Sequence, residues 1–348
     1  MAIDYELVGI NEIAEIARVS RQVVANWRSR STDFPQPIAA LASGPVFRRS
    51  QVKAWLRRRK VPMAHVISTI NLKGGVGKTT TTVALAETLS GGFHKRVLVI
   101  DLDPQTNATT MLIGEEKWRK LNDSGRTLAR LFKDALEPNN KQFDFDAALQ
   151  KGVSDVSAAH TIDLLPSSLD LIDVQDQLAS TPSGKFYSVN PIELLWRAVK
   201  SKLDDYDVVI VDCPPNLGII TLNGLRISQG YIIPTIPDIL STYGIPQIVT
   251  RVREFSQEIA EPIEPLGIAI TKYRAQSTTH INGLRRLKGE EDAGKGPHVF
   301  DTVIPETDAV AAAAEHLEHQ RTLKGKYPRG LADSYRSLAG EVLAKLEG

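Results

Sequence analysis

The sequence predicts an α/β chain, a mostly parallel, doubly wound sheet preceded by a small helical module, and three observations predict it. Two runs, Val97-Leu98-Val99-Ile100 and Val208-Val209-Ile210-Val211, are apolar at every position, as strands are when helices cover both faces of a parallel sheet. A third, β-branched run, Val66-Ile67-Ser68-Thr69-Ile70, leads into a glycine-rich loop and then a helical stretch from Thr79 to Leu89. The first sixty residues read differently. They hold eleven Lys or Arg against five Asp or Glu, a local +6 in a chain of net charge +1.

A length of 348 residues accommodates a small module at 1–60 and a larger one at 61–348. Arg57-Arg58-Arg59-Lys60-Val61-Pro62 has linker composition, and its proline discourages a helix continuing into the next strand, so the boundary is expected near Val61. In the head, Ile13, Ala17, Val19, Val24 and Trp27 are spaced to pack two short helices across a tight turn, with Ser20 capping the second. That second helix offers Arg21, Gln22, Asn26, Arg28 and Arg30, side chains suited to base edges and phosphates. Gly44-Pro45-Val46-Phe47-Arg48-Arg49 follows as a small wing, with Arg48 and Arg49 as further DNA candidates, and a helix is expected from Ser50 through Trp55. The order resembles the winged helix-turn-helix of excisionase and MerR-like DNA-binding domains, although Arg18 stands in the turn where glycine is common. A helical module serving protein contacts only is the alternative.

The loop Asn71-Leu72-Lys73-Gly74-Gly75-Val76-Gly77-Lys78-Thr79-Thr80 carries the chemistry. Its glycines let successive backbone N–H groups turn inward at a helix N-terminus, which makes an anion site suited to polyphosphate. In a P-loop NTPase Lys78 reaches the β- and γ-phosphates and the Thr79 hydroxyl ligates Mg2+. Leu72 replaces the first glycine of the strict pattern, and Lys73 adds a second lysine. Both long apolar strands end in acids, Asp101-Leu102-Asp103-Pro104-Gln105 and Asp212-Cys213-Pro214-Pro215. Ligands of open α/β sheets sit beyond the carboxyl ends of the strands, so these acids and the loop are expected to converge. Asp212 then holds Mg2+ through water, Asp103 orients the attacking water, and Asp101 is a further metal candidate. As isolated features, such aspartates also serve simply as turn formers.

These motifs resemble the ParA/MinD family of deviant Walker ATPases, specifically ParA-type partition ATPases, over roughly Ala64 to Glu347. The residues that carry the resemblance are Lys73 to Thr80, Asp101 to Asn107, Asp212 to Pro215 and, more loosely, Ile304-Pro305-Glu306. It implies that Lys73 crosses a homodimer interface to the ATP of the opposite subunit, so that pairing depends on ATP. Further implications are a base and ribose pocket after Thr271-Lys272 and around Pro305 and Asp308, and a ParB-like centromere-binding adaptor as partner. The resemblance also implies non-specific binding of nucleoid DNA by late basic residues, here Arg274, Arg285 and Arg286, with Lys288, Lys324 and Lys326 nearby. From charge alone, such residues read equally as a solvated face.

The last helix, Leu331 to Leu346, has apolar residues on one face and few cations, which favours core packing over membrane anchoring. No apolar run approaches bilayer length and the first residues hold no signal core, so the expected location is the cytoplasm. The single cysteine, Cys213, excludes an intramolecular disulfide and disfavours a cluster-bearing iron protein. No separate Cys/His nucleophile domain is visible, which disfavours an amidotransferase. An ATP-gated repressor acting through the head, and a positioning ATPase for a protein cargo, are the alternatives to partition.

Overall fold

The computed structural model describes residues 7–17, 19–41, 44–58, 64–137, 139–180 and 190–347. Near the start, helices Ile10–Ile16 and Arg21–Arg30 pack against a three-stranded antiparallel sheet of β1 (Leu7–Val8), β2 (Ala39–Leu41) and β3 (Gly44–Arg48), in the order β1-β3-β2. Ile13, Ala17 and Val24 are buried as their spacing requires, while Val19 and Trp27 are half-buried. The centre of this small core is aromatic. Phe34 stacks edge-on to Trp55 at 4.8 Å between ring centroids and to Phe47 at 5.5 Å, and Trp27 reaches Trp55 at 5.5 Å.

Several expectations for the head change. Ser20 occupies the capping position with extended backbone, yet its side chain makes no cap hydrogen bond. The helix expected from Ser50 to Trp55 runs from Arg49 to Arg58. The turn residue Arg18 and the boundary near Val61 lie outside the described residues.

The larger part is a seven-stranded sheet of β4 (His65–Thr69), β5 (Val97–Asp101), β6 (Ile162–Leu165), β7 (Val208–Asp212), β8 (Gly230–Thr235), β9 (Glu264–Tyr273) and β10 (Val299–Pro305). Its order is β10-β9-β8-β4-β7-β5-β6, and the pairings between these strands are parallel, in keeping with the mostly parallel sheet expected, while Gln150 adds an isolated antiparallel bridge to Leu164 of β6. Successive side chains of a strand face opposite ways. Accordingly Leu98, Ile100, Val209 and Val211 join one buried cluster, and Val97, Val99, Val208 and Ile210 join the other. Helices cover both faces, which is why these strands read as unbroken apolar runs.

The last helix, Leu331–Glu347, buries Leu338, Ala339 and Val342 in the same cluster as Val83 and Leu89 of helix Lys78–Phe93. Its apolar face is therefore spent on the core. Among the described residues, no helix is long and apolar enough to cross a membrane. Lys326, expected among the late surface cations, is instead fully buried. Its ammonium donates to Glu87 Oε1 at 2.7 Å and to Asp155 Oδ1 at 2.9 Å.

The head docks on the larger part at the edge where the strands begin. Ala64, Leu203, Gln229 and Pro262, each just ahead of a strand, line one small cleft with Arg49 and Lys53. Arg49 donates to the Lys200 carbonyl at 3.4 Å and lies 3.8 Å from Asp204 Oδ2. The Arg49 guanidinium, expected on the wing as a DNA candidate, is thus engaged within the chain at the junction with the larger part. Arg48, at the end of β3, remains half-buried.

Candidate active site

The sheet register sets the acids in one row. Thr69 pairs with Asp212, and Asp212 with Asp101, across three adjacent strands at their carboxyl ends. The glycine-rich loop leaves β4 at the same edge and enters helix Lys78–Phe93. Gly75 and Gly77 take φ of 75° and 83°, a left-handed backbone that glycine adopts without strain. Gly77 is the N-cap residue, and the free N–H groups of the first helical turn follow it. The loop is pinned from both sides. The Thr271 hydroxyl of β9 donates to the buried Val76 carbonyl at 2.7 Å, and Asn71 accepts from Lys73 N–H at 2.9 Å while donating to Pro234 and Thr235 of β8. Gly74 and Gly75 stay exposed, and Thr79 and Thr80 half-buried.

Lys78 is buried, and its ammonium donates to the Lys73 carbonyl across the loop at 3.2 Å. Desolvation lowers its pKa below the usual lysine range, while the nearby carboxylates of Asp212 and Asp103 oppose that shift. Lys73 is folded back onto its own chain. Its ammonium donates to Ser241 Oγ at 3.0 Å and lies 3.7 Å from Asp238 Oδ1, with the side chain 38% exposed. Desolvation acts to raise the Asp238 carboxyl, but its bonds to Ser241 and the Lys73 charge hold it below the ordinary range.

Asp212 accepts from Thr69 and Thr82 hydroxyls on Oδ1 at 3.2 and 3.1 Å. Its Oδ2 is buried and has no hydrogen-bond partner among the described residues. Desolvation pushes its pKa up to about 6, against the pull of the Thr79 hydroxyl beside it. A buried oxygen without a donor, next to a threonine hydroxyl and a phosphate loop, fits a hydrated Mg2+, which takes few protein ligands and keeps its waters. Asp103 is buried, and its Oδ1 accepts Gln105 N–H at 2.9 Å. The turn behind it is strained, since Thr106, a β-branched residue, has φ of 56°.

Asp101 does something other than expected. Its Oδ1 accepts Asp103 N–H at 3.0 Å, and its Oδ2 accepts both N–H and hydroxyl of Thr109 at 2.9 and 2.7 Å. With both oxygens engaged, it anchors the Asp103 turn, and the structure does not support it as a direct metal ligand. Burial raises its pKa, with the Asp212 carboxylate adding to the effect. Pro305 ends β10 beside Tyr273, and Asp308 opens the exposed helix Asp308–Ala312 just beyond. Thr109 had no motif to mark it, and Asn71 and Thr271, though named in the sequence with the loop and the base pocket, turn out to pin the loop backbone. Asp238 with Ser241 three residues later did carry a helix-cap spacing that could have been found.

The basic candidates divide. Arg21, Gln22, Arg28 and Arg30 are exposed on one helix with half-buried Asn26, and Gln22 donates to Asn26 at 3.2 Å. In the late segment, Arg274 is paired with Glu306, Lys288 with Asp301 at 2.9 Å, and Arg286 lies 3.8 Å from Glu290 while donating to the Thr242 hydroxyl. Those ion pairs reduce the net field. Arg285 donates to neutral Asn282 at 3.2 Å and has no acidic partner among the described residues.

The raised Asp212 pKa has a definite sign. Between about 3.8 and about 6 the folded chain keeps a proton that the unfolded chain has lost, so this stabilisation is complete below 3.8 and is lost as pH rises through 6. Asp212→Asn is expected to flatten the fall in melting temperature of the nucleotide-free protein over that window. An unchanged slope would remove Asp212 as its source.

Comparison with known proteins agrees with this geometry. Residues 64–264, more than half of the chain, match the AAA domain family model, which begins after the head. The sporulation initiation inhibitor protein Soj of Bacillus subtilis is 30% identical over 282 residues, 81% of this chain and 99% of Soj. The chromosome-partitioning ATPase Soj of Thermus thermophilus is 30% identical, covering 81% and 96%. The chromosome partitioning protein ParA of Caulobacter vibrioides is 27% identical, covering 71% and 83%. Among solved structures, a cobyrinic acid a,c-diamide synthase from Mycobacterium smegmatis with bound ADP and magnesium superposes with a TM-score of 0.59 at 27% identity, covering 80% of this chain and 93% of that one. With the phosphate loop, its second lysine and the strand-end acids at one sheet edge, the chain belongs to the ParA/Soj family of AAA-domain ATPases.

Proposed function

We propose that this chain is a DNA-partition ATPase that binds Mg·ATP, forms a homodimer while ATP is bound, holds DNA non-specifically in that form, and is reset by hydrolysis. The observation that carries the reading is the buried Lys78 facing Asp103 and the partnerless Asp212 oxygen at one sheet edge. Thr79 and Asp212 would hold Mg2+, which would supply positive charge to neutralise the phosphate oxygens. Lys78 and the N–H groups of Gly74 to Thr80 bind the phosphates, and Pro305 and Asp308 border the base and ribose. Asp103 holds the attacking water in line with the leaving oxygen and takes its proton. Lys73, leaving Asp238 and Ser241, brings positive charge to the nucleotide of the opposite protomer, where exclusion of water strengthens it.

Arg285, with Arg274 and Arg286, supplies the non-specific DNA contact, and two copies in a dimer double the phosphate contacts and the salt sensitivity. The head acts as a winged helix-turn-helix. Its exposed row of Arg21, Gln22, Arg28 and Arg30, with Asn26, favours a second output, operator binding, and thus an ATP-gated repressor. A ParB-like centromere-binding adaptor is the activating partner, and the protein works in the cytoplasm on the nucleoid. Amide transfer is disfavoured, because Cys213 is the sole cysteine and is buried, with its thiol pKa pushed up by desolvation.

Sedimentation tests the core of this reading. With a non-hydrolysable ATP analogue and magnesium, the parent is expected to sediment as a dimer and Lys73→Ala as a monomer. With ATP itself, Asp103→Ala is expected to stay dimeric, its turnover reduced by a factor on the order of 10²–10⁴, as for loss of a general base. A parent that stays monomeric, or an Asp103→Ala variant that hydrolyses ATP at the parent rate, would refute it.

A further inference from the structure

After β8 the chain forms a one-turn helix, Ile239–Thr242, capped by Asp238, whose carboxylate accepts Ser241 N–H at 2.7 Å. One side of this turn holds the Lys73 ammonium, through Ser241 and Asp238. Another side is pressed against helix Thr278–Asp292. A Cβ built on Gly283 would fall 1.9 Å from the Pro237 carbonyl oxygen, so the two backbones are in direct contact and only glycine fits between them. One turn further along that helix, Arg286 donates to the Thr242 hydroxyl. The outer side is bare, with Ile239, Leu240 and Tyr243 exposed by 68, 76 and 75%.

The geometry points to a coupling element: the segment from Pro237 to Thr242 links the position of Lys73 to the placement of helix Thr278–Asp292, and so links the nucleotide to the Arg285 surface. This inference rests on the proposed ATP-dependent DNA binding and gives it a route. A lysine engaged on phosphate no longer holds Ser241, and Asp238 loses its nearest cation. The turn is then released on one side while it stays clamped to the helix on the other. Because the clamp is backbone against backbone at Gly283, no flexible side chain absorbs a shift. A packed contact of this kind moves as a unit, and each ligand then biases the same element.

The test uses the full chain and a random-sequence duplex, with DNA affinity measured by fluorescence anisotropy with and without a non-hydrolysable ATP analogue and magnesium. The parent is expected to bind DNA more tightly with the analogue by about 5- to 150-fold, the usual range of coupling between sites. Thr242→Val removes the acceptor for Arg286, and Gly283→Ala forces the backbones apart. Both are expected to keep the analogue affinity of the parent and to lose most of the gain in DNA affinity on adding the analogue, so that the ratio falls toward one whatever the released Arg286 adds to nucleotide-free binding. If Gly283→Ala does not fold, Thr242→Val decides. Hydrogen exchange supplies a readout without DNA: amides of Thr278–Asp292 should change protection on analogue binding in the parent and not in Thr242→Val. A Thr242→Val variant with the parent's ratio and the parent's exchange response overturns the coupling. A parent with no ratio at all refutes the DNA-binding reading instead, and the exchange experiment still judges the coupling.

Discussion

Lys78→Ala is expected to lose Mg·ATP binding almost completely while the protein stays folded. The ammonium is buried among the Asp212 and Asp103 carboxylates at the mouth of the loop, and its pKa is lowered by desolvation, so it is a cation kept away from water for an anionic guest. Truncating one partner of a buried charge pair costs about 2–5 kcal/mol. At about 1.4 kcal/mol per tenfold, that is a rise in Kd of roughly 30- to 4,000-fold, readable by calorimetric titration. A variant that binds ATP within a few-fold of the parent would remove Lys78 from the phosphate site.

Lys326→Met is expected to be the most destabilising single change outside the site. Lys326 sits between Glu87 on helix Lys78–Phe93 and Asp155, and all three side chains are buried. Tyr327 and Ser154 also donate to Glu87, each at 2.7 Å, and Arg321 pairs with the far oxygen of Asp155. Burial acts to raise the Asp155 carboxyl, but Lys326, Leu317 N–H and Arg321 together hold it below the usual range. Methionine fills the space and leaves two buried acids short of a cation. Breaking such a pair from one side costs about 3–5 kcal/mol, which denaturant titration resolves. The exposed neighbour Lys324, changed to Ala, should stay within about 0.5 kcal/mol of the parent. Equal losses for the two variants would show that the buried network contributes nothing.

What could be read from the residues was whatever is local in the chain. The strands at 97–101 and 208–212 announced themselves because both faces are covered, and the acids that end them fell in one row because a parallel register aligns carboxyl ends. The loop was legible because its glycines, Lys78 and Thr79 are consecutive. What could not be read was pairing over distance. Arg49 looks like a wing cation until it meets a carbonyl 151 residues further along. Lys326 looks like a surface lysine until the fold brings Glu87 to it. Asp101 and Asp103 look alike in sequence, and only Thr109, one helical turn into the next element, makes the first an anchor. The anchoring of Lys73 on Asp238 and Ser241 was equally hidden, since no spacing rule relates the loop to a turn after β8.

The docking of the head has its own consequence. It sits where the strands start, whereas the phosphates belong where they finish, and the five residues of β4 between them span roughly 16 Å at about 3.3 Å per residue. A reader so placed cannot feel the last phosphate by touch. Under the proposed function, word of the nucleotide would reach it only as a head count: one tethered head would bind a half-site weakly, two joined by ATP would gain avidity, and an operator would thereby measure how many protomers are joined.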